Sequence, residues 1–439
     1  MLFSNSYNLS EVKLSILLIC SGIVGTALSY GDLYLFHIIL FFSLVVWLYK
    51  IKNNDYRLDL KVFSSNYILV LIIFYLWYLL SLFWTPSIEL GIKYIFYISC
   101  GLILTVSVVS ISTKEANLNK LFKLFSLLFI SEIIIALLEV FTNFRMPTSS
   151  LSTFAPFFGK DSTALYLNGN LAMLSNLNAP TGFRWNTNDL AVSMIIILPF
   201  FLCHKKIAIK FFGIGAISII IVMTASRAVF IALIITFCIY LIMIKKRFGT
   251  LLIAWTFLVS LFWAILNFSD SDNPRINEIA NSLEALSLFV SGDIDVGGSI
   301  QWRRKLVENG FEALSNSYGF GIGAGGTVAN QENIGPVSGR FTSMHNFWIE
   351  VLVEGGIIIG LLISLWYINI IYNLFKVSRS SASFRIKYYS QSLILSMVAF
   401  VPAAIAASST VYFLPMWIMF GFSISIILFH RENNSLFIK

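Results

Sequence analysis

Long apolar runs alternate with short polar connections over nearly the whole chain. Runs of about 20 residues match the length a helix needs to cross a bilayer core. Backbone in lipid must bond to itself, which leaves helices or closed barrels. Barrel strands would read as short alternating segments, whereas these runs are continuous. The pattern predicts an all-α polytopic membrane protein with about twelve spans, near 12–30, 33–49, 65–84, 91–111, 120–141, 187–203, 209–224, 228–244, 248–268, 345–372, 388–408 and 410–430. Only Ala225, Ser226 and Arg227 separate the seventh from the eighth. No clean small-residue cleavage site follows the first run, so it reads as a retained span. Residues 1–439 read as one transmembrane domain.

Two connections are much longer than the others, a first loop over 142–186 and a large one over 269–344. Loops beyond about 15 residues are usually functional or disordered. The second has helical periodicity: Ile276, Ile279, Leu283 and Leu286 recur within 275–290, and Trp302, Leu306, Gly310 and Leu314 within 302–314. Arg304 and Glu308 form an i,i+4 pair there. These segments are predicted to be short amphipathic helices at the membrane surface.

Composition strengthens the membrane reading. Of 439 residues, 57% are hydrophobic and 12% charged, against about 25% charged in soluble domains; mean hydropathy is +0.82. Charge sets the orientation. With the N-terminus inside, the short inner connections hold 20 of the 30 Lys and Arg, and the outer segments hold 10. The positive-inside rule then predicts cytoplasmic termini and outer positions for both large loops. The net charge of +8 follows from topology and attraction to anionic headgroups, so no nucleic acid is implied. Cys20, Cys100, Cys203 and Cys238 all lie in or at the ends of spans, which predicts no structural disulfide and shows no metal-type Cys/His spacing.

The candidate chemistry gathers on the predicted outer side. His345 is the single histidine there, opening a span in Ser343-Met344-His345-Asn346-Phe347-Trp348-Ile349-Glu350. Its pKa range suits a proton acceptor; a helix-capping or interfacial role is the plainer alternative. Arg227 lies between two apolar spans with no neighbouring acid. It either clamps phosphate oxygens or snorkels to lipid phosphates. Arg303 and Arg304 on the 302–314 segment add positive charge, or form a solvated basic face. Arg184, Asn186, Asn188 and Asp189 cluster at the mouth of the sixth span, where they either cap the helix or bind sugar hydroxyls. Asp270-Ser271-Asp272 and Asp293-Ile294-Asp295 are weak metal candidates, because oxygen-ligand sites need more than two carboxylates. Gly319-Phe320-Gly321-Ile322-Gly323-Ala324-Gly325-Gly326 has neither the strand of a Rossmann motif nor the Lys of a P-loop and reads as a tight turn. Glu132 and Glu139 within the fifth span are functional candidates by position, without an assigned partner.

Four elements occur in one order: Asn186-Thr187-Asn188-Asp189-Leu190-Ala191, then Ser226-Arg227-Ala228, then an arginine-bearing loop helix followed by Gly319-Phe320-Gly321-Ile322-Gly323, then His345-Asn346 with Glu350, Glu354 and Gly355-Gly356. This arrangement resembles the O-antigen ligase and Wzy-type polysaccharide polymerase superfamily over about residues 180–365. Where the family often has proline between the two asparagines, Thr187 stands here.

The resemblance implies a GT-C-like membrane glycosyltransferase of a bacterial cytoplasmic membrane, using a polyprenyl-diphosphate-linked glycan donor. The family's essential histidine would fall on His345, its arginine after serine on Arg227, and its loop arginine on Arg303, with Arg304 one position away. Arg184, Asn186, Asn188, Asp189, Asn346 and Glu350 would contact substrate. No metal or other cofactor is implied. The partners would be the lipid-linked donor and acceptor, membrane lipids, and a chain-length regulator and flippase. Polymerisation of repeat units into an O-antigen or capsule type of polysaccharide is the first reading. Ligation of the finished glycan to lipid A-core is the second, and a precursor transporter or flippase is the rival from another class.

Overall fold

The computed structural model describes residues 9–53, 65–112, 115–161, 179–245, 299–334, 343–407 and 411–436. Its helices are α1 (Leu9–Val24), α2 (Leu35–Lys52), α3 (Asn66–Leu80), α4 (Ile88–Ile111), α5 (Glu115–Phe141), α6 (Thr187–Leu202), α7 (Ile207–Thr224) and α8 (Arg227–Ile239). They continue with α9 (Ser299–Asn316), α10 (Gly326–Ile334), α11 (Phe347–Ser380), α12 (Phe384–Ala403) and α13 (Leu414–Leu436). Seven of the described helices are long and apolar enough to cross a membrane, and shorter apolar helices accompany them. The chain is a multi-pass α-helical membrane protein. The span expected at 248–268, the segment 275–290 and both Asp-x-Asp triplets lie outside the described residues.

The close pair of spans is real. Ala225 takes a left-handed conformation (φ 53°) and ends α7, Ser226 is extended, and α8 starts at Arg227. Two residues, Ala225 and Ser226, therefore suffice for the reversal. The first two spans are parted differently from expectation. α1 stops at Val24, and a small antiparallel hairpin pairs Ser29 with Tyr34 and Tyr30 with Leu33. Gly31, at its tip, is left-handed, and its N–H donates to Phe158 O at 2.7 Å, so the first loop folds down over the hairpin.

The bundle core centres on α12, packed between α6, α8 and α11, and on α13 against α4. α12 presents small residues to α6. Ser396 donates to Ile196 O at 2.6 Å, and Ser392 to Pro199 O at 3.4 Å. Small polar residues allow close helix approach in lipid and add side-chain donors to carbonyls of the facing helix.

The loop residues 317–334 are built into the bundle through a broken helix. α11 is interrupted at Gly356 (φ 80°, ψ 175°). The glycine run lies in that break. Ile322 N–H donates to Val353 O at 3.0 Å, Gly323 N–H to Glu354 O at 3.0 Å, and Ile357 N–H to Gly319 O at 2.9 Å. Three backbone groups that helix interruption would orphan are thus paired. A side chain at Gly356 would put its Cβ 2.2 Å from Phe320 O, and one at Gly321 (φ 95°) would lie 2.4 Å from Gly356 N. Gly356→Ala is expected to destabilise by roughly 3–5 kcal/mol, read as a lowered thermal midpoint of the purified protein. Gly215→Ala, where a Cβ meets nothing within 4 Å, is the matched control and should be neutral to slightly stabilising.

Candidate functional site

Helix α9 brings one arginine inward and its neighbour outward. Leu306, Gly310 and Leu314 are buried at three, seven and eleven residues from Arg303, which puts all four on one helix face. Gly310 admits the Met344 side chain, since a Cβ there would lie 2.7 Å from Met344 Cε. That close approach docks α9 against the residue preceding His345. Arg303 sits two turns before it, at the site, and donates through Nη1 to Ile405 O at 3.3 Å. Arg304 turns the other way. It is 57% exposed and paired with Glu308 at 2.7 Å.

His345 adopts the left-handed conformation (φ 50°), uncommon for a residue with a Cβ. Asn346 caps α11, its Oδ1 accepting from Trp348 N at 3.1 Å and Ile349 N at 3.3 Å. The turn aims the ring at the residues that follow α12, where Nδ1 lies 3.3 Å from Ala407 O. A carbonyl can only accept, so Nδ1 carries the proton and Nε2 keeps its lone pair. Burial and then the Arg303 charge push the His345 pKa down to about 4. Burial and the Arg227 charge in turn hold Arg303 below its usual value. The two guanidiniums and the imidazole therefore form one electrostatic cluster. Among the described residues no carboxylate pairs with Arg227 or Arg303. Two mutually repelling, half-buried cations beside an imidazole are chemically suited to hold an anion next to a base.

The other expected residues make contacts of their own. Arg184 is an ion-pair partner. Its Nε stands 2.8 Å from Glu132 Oε1, and Nη2 donates to Glu132 Oε2 at 3.1 Å. Both side chains are buried. Glu139 is likewise accounted for: its carboxylate accepts from Thr181 N and Gly182 N at 2.7 Å each and from Met146 N at 3.2 Å. The two intramembrane acids tie the first loop to α5. Asn186 caps α6, accepting from Asp189 N at 2.9 Å and donating to Asp189 Oδ2 at 3.0 Å. Asn188 is half-buried on the first turn. Glu350 and Glu354 are buried one turn apart in α11. Glu350 hydrogen-bonds Tyr94, and Glu354 Oε1 accepts from Thr327 Oγ1 at 2.6 Å. Asn346 and Glu350 thus serve the architecture around His345. Removing Arg184 alone should leave Glu132 buried and uncompensated. Arg184→Met is expected to cost on the order of 3–5 kcal/mol of stability, with much of it recovered in Arg184→Met/Glu132→Leu. An unchanged thermal midpoint in the single variant would refute the pairing role.

A separate polar cavity of about 510 Å³ opens at the same end of the bundle. Asp32, Tyr34, Lys160, Asp161, Trp185 and Tyr412 are among its lining residues. Lys160 Nζ lies 5.2 Å from the Tyr34 ring centroid and 4.9 Å from that of Trp185. Burial lowers the Lys160 pKa, and Asp32 partly offsets this. Only Arg184 and Asp189, which also line it, had been singled out in the sequence. The signal for the rest was Gly31-Asp32 between two apolar runs.

Residues 212–365, from within α7 to within α11, match a family described as O-antigen ligase. The chain is also 22% identical over 379 residues to the teichuronic acid biosynthesis protein TuaE of Bacillus subtilis (strain 168), covering 84% of this chain and 73% of that protein. Both findings bear out the resemblance to the O-antigen ligase and polysaccharide polymerase superfamily.

Proposed function

We propose that the chain is a glycosyltransferase of the outer face of the bacterial cytoplasmic membrane. It polymerises polyprenyl-diphosphate-linked oligosaccharide repeat units into a surface polysaccharide. The observation that carries this reading is the grouping of two guanidiniums, Arg227 and Arg303, that pair with no carboxylate among the described residues, with the imidazole of His345.

The chemistry follows from their positions. The donor diphosphate sits against Arg227 and Arg303. His345 Nε2 accepts the proton of an acceptor sugar hydroxyl. The hydroxyl oxygen attacks the anomeric carbon, the bond from that carbon to the phosphate oxygen breaks, and the electron pair leaves with the diphosphate. The arginines stabilise the charge gathering there. A single displacement inverts the anomeric centre, and permanently charged guanidiniums supply the stabilisation a metal would give. Diphosphate binding also screens His345 from Arg303, so the imidazole becomes more basic as it takes the proton.

Histidine NMR checks the starting state, since the chain has four histidines and His345→Gln assigns the signal. His345 is expected to stay neutral until pH falls to about 4, against roughly 6.5 for an unperturbed imidazole. Between those values the unfolded chain binds a proton the native one does not, so this residue's contribution to stability is lost as pH falls through that window. Arg303→Met should raise the midpoint. A wild-type midpoint near 6.5 would contradict the arrangement.

The test of function is reconstitution of the purified protein in liposomes with a polyprenyl-diphosphate-linked repeat unit. A ladder of longer lipid-linked glycans supports polymerisation. Transfer only when lipid A-core is supplied supports ligation, the second reading, which the description of the matched family favours. No transfer to either acceptor would refute the transferase reading and favour a transporter.

A further inference from the structure

The polar cavity and the cationic site both draw on the chain between α12 and α13, of which residues 404–407 and 411–413 are described. Ile405 O receives Arg303. Ala407 O receives His345. Tyr412, Phe413, Leu414 and Pro415 line the cavity. In order along this stretch come the leaving-group side, the base, and then the cavity. Ala407 to Tyr412 is five residues, a reach of at most about 17 Å, within the length of a short oligosaccharide.

The lining suits sugars. Tyr34, Tyr97, Trp185 and Tyr412 supply ring faces, and Asp32 and Asp161 supply hydroxyl acceptors. Both aspartates are exposed beside Lys160. Tyr412 is itself held in place: its ring lies 4.5 Å from that of Tyr97, and its hydroxyl bonds His37 Nε2. The cavity has carboxylates where a phosphate would be repelled, and its Arg184 is committed to Glu132. This is the opposite electrostatic character to the Arg227–Arg303 site.

We propose that this cavity is the acceptor subsite, holding a neutral or amino-bearing sugar unit of the acceptor glycan while His345 activates another unit's hydroxyl. The assignment rests on the transferase reading above. The aromatic faces stack on the apolar faces of the sugar ring, and Asp32 and Asp161 accept from its hydroxyls. Donor diphosphate and acceptor sugar are thus assigned to different sites, one cationic and one carboxylate-bearing, with His345 serving the acceptor hydroxyl.

The probe is the lipid-free oligosaccharide released by mild acid from the polyprenyl-linked repeat unit. It lacks a diphosphate and can act only as acceptor. Calorimetric titration uses the full chain in lipid nanodiscs. Wild type and His345→Ala are expected to bind it alike, which separates this test from that of the catalytic reading. Trp185→Ala and Asp32→Asn should each weaken binding by about tenfold or more. Both should keep the wild-type thermal midpoint and donor KM while raising the acceptor KM. Absence of binding to wild type at millimolar oligosaccharide would overturn the proposal. So would wild-type affinity in both variants, or a raised donor KM with an unchanged acceptor KM. Loss of transfer in His345→Ala with binding intact supports both readings. Intact binding with no transfer by wild type would sink the transferase reading while leaving a saccharide site.

Discussion

His345→Ala is expected to lower the turnover of glycan transfer about 10³-fold, with little change in donor KM. General base catalysis contributes typically 10²–10⁴-fold, and in the proposed mechanism His345 serves the acceptor hydroxyl and not the diphosphate. Its tautomer is set by Ala407 O at 3.3 Å, which leaves Nε2 as acceptor, so substitution removes the base and not the anion site. Asn346, the adjacent cap of α11, remains and holds the turn. The measurement is initial rate against donor concentration in liposomes, with the thermal midpoint as the folding control. Retention of wild-type turnover would remove His345 from the mechanism.

The second large effect separates two adjacent arginines. Arg303→Met should lower turnover by about 10²–10³-fold, as loss of one preorganised charge at a developing anion does. Arg304→Met should leave turnover within about twofold, because Arg304 is 57% exposed and its partner Glu308 equally so; exposed i,i+4 pairs contribute only a few tenths of a kcal/mol. Arg303→Lys keeps the charge but loses the planar fork and should fall between. Equal losses at 303 and 304 would mean that the face of α9 bearing Leu306, Gly310 and Leu314 does not set which arginine acts.

Much of this was legible in the sequence, for physical reasons that can be named. Lipid leaves the backbone no partner but itself, so apolar runs map directly onto helices: 187–203 became Thr187–Leu202, and 120–141 became Glu115–Phe141. The seventh and eighth spans, separated by three residues, formed as expected because Ala225 could take a left-handed turn. The 302–314 periodicity became α9. Span ends were less legible. The run 12–30 stops at Val24, since hydropathy does not register a Tyr30-Gly31-Asp32 hairpin tip.

The candidate site was legible as residue types and illegible as partnerships. Charges in apolar spans signal function by default, yet Glu132 and Arg184, 52 residues apart, neutralise one another. Local pattern cannot announce such a long-range pair. Arg303 and Arg304 were indistinguishable until the helix face was known. The glycine run read as a turn. Its role, completing the broken helix at Gly356, depends on a second glycine pair more than 30 residues away. The cavity was almost invisible, because its walls come from the α1–α2 hairpin, the first loop, α4, and the connection between α12 and α13.

In the proposed mechanism Arg227 and Arg303 hold a lipid diphosphate next to a base that takes no part in holding it. Binding of polyprenyl diphosphate to the nanodisc-embedded protein tests this most directly. Wild type and His345→Ala should bind it with the same Kd, and Arg227→Met/Arg303→Met should bind it at least about 100-fold more weakly. Undiminished binding by the double arginine variant, or loss of binding in His345→Ala, would contradict the account.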